Sequence, residues 1–235
     1  MISLAFEMSS RQGSLALFKD REFLVEKTWL DEGVRSQNVF KVLAGLLKET
    51  GTRVEEINSF FVGRGPGSYT GLRVALTAAQ ALALPGGGDV YCLSSGEAMA
   101  AEILAGGGAR HVAVTGDARR EQFWLGVFRG GEQTGQVEEV MPWTLVGPAE
   151  LPGKLPPDTR IVSSDWVKKE TVFRGMTGPG IAWREEDVFP RAEWIGRAGW
   201  ARKAGGKPSE PPMPIYMHPA VMVAPFFPDQ GEQPA

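Results

Sequence analysis

Residues 57–84 constrain the fold more than any other stretch. An apolar run, Ile57-Asn58-Ser59-Phe60-Phe61-Val62, meets the loop Gly63-Arg64-Gly65-Pro66-Gly67-Ser68-Tyr69-Thr70-Gly71-Leu72-Arg73, and an alanine-rich segment follows over 74–84. That order predicts strand, glycine loop, helix. Glycines at 63, 65, 67 and 71 permit positive φ and close backbone approach, and Pro66 stiffens the loop. Ser68 or Thr70 can cap the helix. Two readings stay open. Free N–H groups at a helix start seat an anion; alternatively, the loop is a tight turn that packs the helix on its strand. The absence of Gly-Lys-Ser/Thr excludes a P-loop.

Ahead of this unit, residues 2–6, 14–18 and 23–29 read as strands joined by short polar turns, an antiparallel meander. Val39, Val42, Leu43, Leu46 and Leu47 form one apolar stripe of a helix ending near Gly51. After the alanine-rich helix come a strand over 90–93 and a helix over 96–104 that Ser95 can cap. The order βββαβαβα opens the ribonuclease-H-like fold, with Glu7 as the acid at the end of strand one. After Gly106-Gly107-Gly108 the strand, turn and strand of residues 111–128 repeat that opening, with a third strand expected over 136–141. Two domains are expected, 1–106 and 107–235. A short strand at 161–164, a brief helix capped by Asp165 and a helix from Pro190 to Ala204 follow. The proline-rich tail reads as extended chain, with residues 222–227 docked on the body and 229–235 mobile.

The helix over 72–83 is apolar around most of its circumference, leaving Arg73, Thr77 and Gln80 as a narrow polar stripe. Such a helix is buried on more than one side. Another element of the same chain or a partner subunit would each serve.

Composition excludes several classes. A net charge of −3 over 235 residues gives no basic footprint for nucleic acid. The single cysteine, Cys92, cannot form an internal disulfide and fits a reducing compartment. Two histidines and one cysteine argue against a structural zinc site. The start lacks a basic leader region and no run is long enough to span a membrane, so a cytoplasmic protein is expected.

The glycine loop closely resembles the signature of the TsaB (YeaZ) family, the partner subunit in bacterial synthesis of threonylcarbamoyladenosine on tRNA. Asp117-Ala118-Arg119-Arg120-Glu121-Gln122-Phe123-Trp124, Pro190-Arg191-Ala192 and Pro214-Ile215-Tyr216-Met217 resemble further segments of that family. The resemblance implies an α/β chain of two ribonuclease-H-like domains with mixed sheets, in the actin-like ATPase superfamily. It implies a non-catalytic scaffold that pairs with a TsaD-type transferase, works with a TsaE-type ATPase, forms homodimers when alone and meets tRNA only through the complex. No tightly bound cofactor is implied; ATP and magnesium belong to the complex. The family's pairing helices map to Val39, Val42, Leu43, Leu46, Leu72, Ala75, Leu76, Ala79 and Ala83. A charge at Ala75 or Ala79 is then expected to abolish pairing and spare the fold.

Three places are candidates for chemistry. Glu7 with Ser9 could face Gly65, Gly67, Ser68, Thr70 and Gly71 and hold a metal–phosphate through water, or could be a hydrogen-bonded turn acid. The family pattern Asp-Thr-Ser is replaced by Glu7-Met8-Ser9, which weakens a magnesium site. Arg35-Ser36 stands where the family commonly has His-Ser, and arginine cannot bind metal. Asp117, Arg119, Arg120 and Glu121 could orient an anion, or form a solvated charged hairpin. The rival reading is an actin-like ATPase or kinase using Glu7 and Asp117. A protease acting on the paralogue is a third, without a nucleophile–base pair to support it.

Overall fold

A computed structural model describes residues 1–30, 35–131, 136–178 and 181–218. Two five-stranded mixed sheets carry the chain. The first holds β1 (Ile2–Glu7), β2 (Gln12–Lys19), β3 (Glu22–Leu30), β4 (Ile57–Gly63) and β5 (Asp89–Leu93) in the order β3-β2-β1-β4-β5. β1, β2 and β3 pair antiparallel, while β4 runs parallel to β1 and β5 parallel to β4. The second holds β6 (His111–Arg119), β7 (Gln122–Gly130), β8 (Val137–Val146), β9 (Thr159–Ser163) and β10 (Ile181–Asp187), ordered β10-β9-β6-β7-β8. Read from the other edge this is the first sheet again, with the same parallel and antiparallel pairs. The duplication inferred from element order is therefore real, and each half has the ribonuclease-H-like sheet.

α1 (Arg35–Thr50) and α2 (Tyr69–Ala83) cover the outer face of the first sheet. Val39, Leu43 and Leu46 from α1 and Ala75, Leu76, Ala79 and Ala83 from α2 join Leu4, Phe6, Leu15, Leu17, Phe60 and Val62 in one core. Part of the wide apolar surface of α2 is thus met by the neighbouring α1. α4 (Trp166–Gly175) covers the outer face of the second sheet, packing Trp166 and Phe173 beside Phe123, Leu125 and Ile161.

The inner layer exchanges its helices. α3 (Ser95–Ala105), from the first half, packs Met99, Ala100 and Ile103 against Val112, Val114 and Phe128 of the second sheet. α5 (Ala192–Ala204), from the second half, packs Ile195, Ala198 and Trp200 against Ala5, Phe18 and Phe61 of the first. Gly196 and Gly199 let α5 settle on the Phe18 and Phe61 rings, where any β-carbon would overlap them. A cut between 106 and 107 separates the sheets, yet parts each from the helix covering its inner face.

Several local expectations shift. Ser94, not Ser95, caps α3, accepting from Glu97 N at 3.3 Å. Ser68 caps α2. β10 was not expected as a strand. The proposed docking of residues 222–227 and mobility of 229–235 lie outside the described residues.

Candidate functional site

The glycine loop follows β4 and enters α2 through a cis Gly65–Pro66 peptide. Its glycines make room for the β1–β2 turn. A β-carbon on Gly67 would overlap the Ser9 carbonyl, one on Gly71 the Met8 carbonyl, and one on Gly63 the Glu7 carboxylate. Five of the loop's amides are also taken. Arg64 N donates to Leu93 O at 2.9 Å, Ser68 N to Ser9 O at 2.6 Å and Leu72 N to Ser68 O at 3.0 Å. Gly65 N donates to Ser95 Oγ at 2.9 Å and Gly71 N to Ser68 Oγ at 3.2 Å. An anion seat needs free N–H groups. The protein's own turn packs against the loop where Glu7, Ser9, Gly65, Gly67, Ser68, Thr70 and Gly71 were read as a phosphate cradle. Of the two readings, the geometry fits the packing turn.

Glu7 points inward. Its side chain is fully buried, Oε1 accepts from Ser9 N at 2.6 Å, and Oε2 lies beside Gly63 without a hydrogen-bond partner. Burial pushes its carboxyl above the usual range. A metal-holding carboxylate must reach the cleft, and this one is buried beneath Gly63. Met8, in the threonine's place, is core. The residues present do not fit a magnesium–phosphate group.

Asp117 is equally committed. Its Oδ2 lies 3.1 Å from Lys168 Nζ and 3.2 Å from Lys169 Nζ, and Oδ1 accepts from Arg119 N at 2.9 Å. Partial burial raises its carboxyl, but the Arg119 amide and the two lysines outweigh that and hold it below its ordinary value. Arg119, Arg120 and Glu121 turn the hairpin with φ of 66°, 52° and 58°. The charged hairpin reading fits. Among the described residues no three His, Cys, Asp or Glu side chains gather to hold a metal. The side chain of Arg35 lies outside the described residues.

The nine positions read as a pairing face lie largely inside the chain. Val39, Leu43, Leu46, Leu72, Ala75, Leu76, Ala79 and Ala83 are buried within the chain itself, and Val42 is half-buried. They are the inward faces of α1 and α2. The outward stripe of α2 is Tyr69, Arg73, Thr77 and Gln80, followed at the helix end by Leu84; α1 adds Phe40 and Ala44. Tyr69 is 55%, Leu84 81% and Phe40 53% exposed. These large apolar groups sit on the solvent side of the helix pair. The sequence signal was present at Phe40, Tyr69 and Leu84, which break the polar side of each helix.

A second feature was not anticipated. Residues 207–218 form a strap across the first sheet's carboxyl edge and on to the second. Glu210 N donates to Cys92 O at 3.0 Å, and Ile215 N to Arg64 O at 2.8 Å. Arg64 answers with Nε to Met213 O at 2.7 Å and an ion pair to Glu210 at 2.8 Å. His218 Nε2 donates to Ala118 O at 2.6 Å. Ligands of α/β sheets bind outside the carboxyl ends of the strands, the region this strap covers. Between strap, α3, α5 and β8 remains a cavity of about 280 Å³ lined by Glu97, Trp143 and Arg202, just below the ~300–1,000 Å³ of ordinary ligand pockets. Burial raises the Glu97 carboxyl, against the opposing pull of Arg202. Cys92 is buried and its thiol pushed up to about 11, the state of an inert core residue.

These features define a class: a duplicated ribonuclease-H-like α/β protein whose glycine loop packs on its own β1–β2 turn and whose outer helix pair carries exposed apolar side chains. The family model for TsaD, tRNA N6-adenosine threonylcarbamoyltransferase, matches residues 35–163. The tRNA threonylcarbamoyladenosine biosynthesis protein TsaB of Bacillus subtilis (strain 168) is 25% identical over 84% of this chain and 81% of its own. TsaB of Escherichia coli (strain K12) is 34% identical over 41% of this chain and 46% of its own. YeaZ from Pseudomonas aeruginosa shares the fold, with a TM-score of 0.77 and 23% identity over 92% of this chain and 99% of that one. The chain belongs to this family, on its TsaB (YeaZ) branch. No described helix is long and apolar enough to cross a membrane.

Proposed function

We propose that this chain is a non-catalytic subunit in the synthesis of threonylcarbamoyladenosine on tRNA, pairing with a TsaD-type transferase through the outward face of α1 and α2. The observation that carries this reading is the conjunction of a glycine loop packed on its own β1–β2 turn with an exposed Phe40, Tyr69 and Leu84 on a helix pair. The names of its TsaB relatives supply the pathway. ATP and magnesium then belong to the assembled complex and a TsaE-type ATPase. RNA reaches this acidic chain through its partners, in the cytoplasm, and the same helix face closes a homodimer when the partner is missing. A contact burying about 1,600 Å² in total would be ordinary for such a pair.

The test is co-purification with the TsaD-type paralogue from the same source, with mass by light scattering. A one-to-one complex lost in Leu84→Arg or Phe40→Glu supports the reading. No complex, together with tight magnesium-dependent ATP binding by the isolated chain, overturns it in favour of an actin-like ATPase.

A further inference from the structure

Arg73 lies on the second turn of α2, on the outward stripe. Its guanidinium carbon stands 3.9 Å from the centre of the Tyr69 ring and 5.8 Å from that of Tyr216. Nε donates to the Tyr216 hydroxyl at 2.8 Å. The two rings lie 5.4 Å apart, inclined by 33°. Tyr69 comes from the first turn of α2 and Tyr216 from the strap, so the trio assembles only with the strap in place.

Other arginines held this firmly are neutralised. Arg64 pairs with Glu210, Arg202 with Glu97 and Glu210, and Arg191 with Glu26, Glu102 and Glu193. Arg73 forms no ion pair with a carboxylate among the described residues. Ring stacking orders a guanidinium without cancelling its charge. With Nε engaged by Tyr216, the far end of the fork presents the two terminal nitrogens, the geometry that grips a carboxylate through two parallel bonds. Its place near the start of α2 adds the positive end of the helix dipole. An arginine already ordered loses little further freedom on binding.

The surroundings select the kind of partner. Tyr69 (55% exposed) and Tyr216 (48% exposed) flank the charge with ring surface. Tyrosine and arginine together at a contact are the composition of protein–protein hot spots. A nucleic-acid footprint needs clustered cations, whereas this chain carries a net charge of −3.

We propose that Tyr69, Arg73 and Tyr216 form a carboxylate-receiving anchor at the strap end of the α1/α2 docking face, taking an Asp or Glu side chain of the protein partner. The docking face is thereby extended from the helix pair onto the strap. The inference rests on the pairing reading above and adds to it a chemistry and a location.

The test titrates the full chain, by calorimetry, with the TsaD-type paralogue from the same source at low and high salt. Arg73→Gln is expected to weaken binding by at least about tenfold and to flatten its salt dependence. Arg73→Lys, which keeps the charge without the planar fork, should recover only part of the loss. Tyr216→Phe removes one hydroxyl and should weaken binding without lowering the melting temperature, which guards against misfolding as the cause. Wild-type affinity in Arg73→Gln, with binding abolished in Phe40→Glu, overturns the anchor and leaves the pairing reading standing. Wild-type affinity in both overturns both. Unchanged protein affinity with loss of tRNA from the assembled complex also overturns the anchor, because Arg73 would then serve RNA.

Discussion

Gly71 and Met8 are so close that a β-carbon on the first would overlap the carbonyl oxygen of the second. Gly71 sits in the first turn of α2, and Met8 in the β1–β2 turn that the helix start covers. The relationship shows why the glycine loop exists. It lowers α2 onto backbone, where no side chain can yield.

That contact predicts a sign. In an unobstructed helix, glycine to alanine gains up to about 1 kcal/mol. Gly71→Ala should instead destabilise by roughly 1–3 kcal/mol or more, as overpacking against fixed groups does. Gly45→Ala is the control. That glycine lies on exposed α1 with nothing near its absent β-carbon, so the usual helix gain of about 0.5–1 kcal/mol should appear. Urea midpoints of the two variants check both signs.

Glu7 predicts a pH dependence. Burial raises its folded pKa above the ordinary 4.5. The folded state then binds its proton more tightly than the unfolded chain does. The stabilisation from that proton is complete below the unfolded pKa and is lost as pH rises through the folded one. Glu7→Gln keeps an acceptor for Ser9 N and carries no charge to bury. Its stability relative to the parent should grow as pH rises above the ordinary carboxylate value of 4.5. A difference that stays constant across the series would show that Glu7 titrates normally.

Ala79 and Leu84 separate fold from pairing. Ala79 is fully buried on α2, whereas Leu84 at the helix end is 81% exposed. Ala79→Arg forces an unpaired charge into the core beside Phe60 and Val62, and should cost about 3 kcal/mol or more and reduce soluble yield. Leu84→Arg should stay within about 0.5 kcal/mol of the parent in stability and lose its partner. Circular dichroism melts with light scattering distinguish them. A soluble, folded Ala79→Arg chain that merely fails to pair would restore the inward residues as the interface.

The difference between those two residues marks what sequence pattern can carry. The stripe Val39, Leu43, Leu46 correctly located a helix and its apolar side. Periodicity identifies the apolar face but is silent about what covers it, so the same residues were read as a docking surface. Glu7, placed at the end of β1, was legible as to position; its inward orientation depends on Gly63 and Ser95, far along the chain. β10 escaped because Arg184-Glu185-Glu186 breaks its alternation at an edge where solvent tolerates charge. The exchange of α3 and α5 is wholly long-range. Nothing local in Ile195, Ala198 or Trp200 says which sheet they will meet.

Arg64 gives the last prediction, because it makes the strap part of the glycine loop. Its guanidinium holds Met213 O and Glu210, and its carbonyl accepts from Ile215 N. Arg64→Ala removes two charge-assisted bonds, each worth about 1.5–3 kcal/mol when well formed, and leaves Glu210 without one of its cations. Arg202 still pairs with Glu210 at 3.3 Å, so the strap should loosen rather than detach. Hydrogen exchange at the Glu210 and Ile215 amides is expected to accelerate by about tenfold or more, since local opening free energies set those rates. Exchange in β1 and β4 should stay unchanged, because their core does not include the strap. Acceleration spread equally across the first sheet would mean instead that Arg64 supports the whole domain, and that the strap is no separate unit of stability.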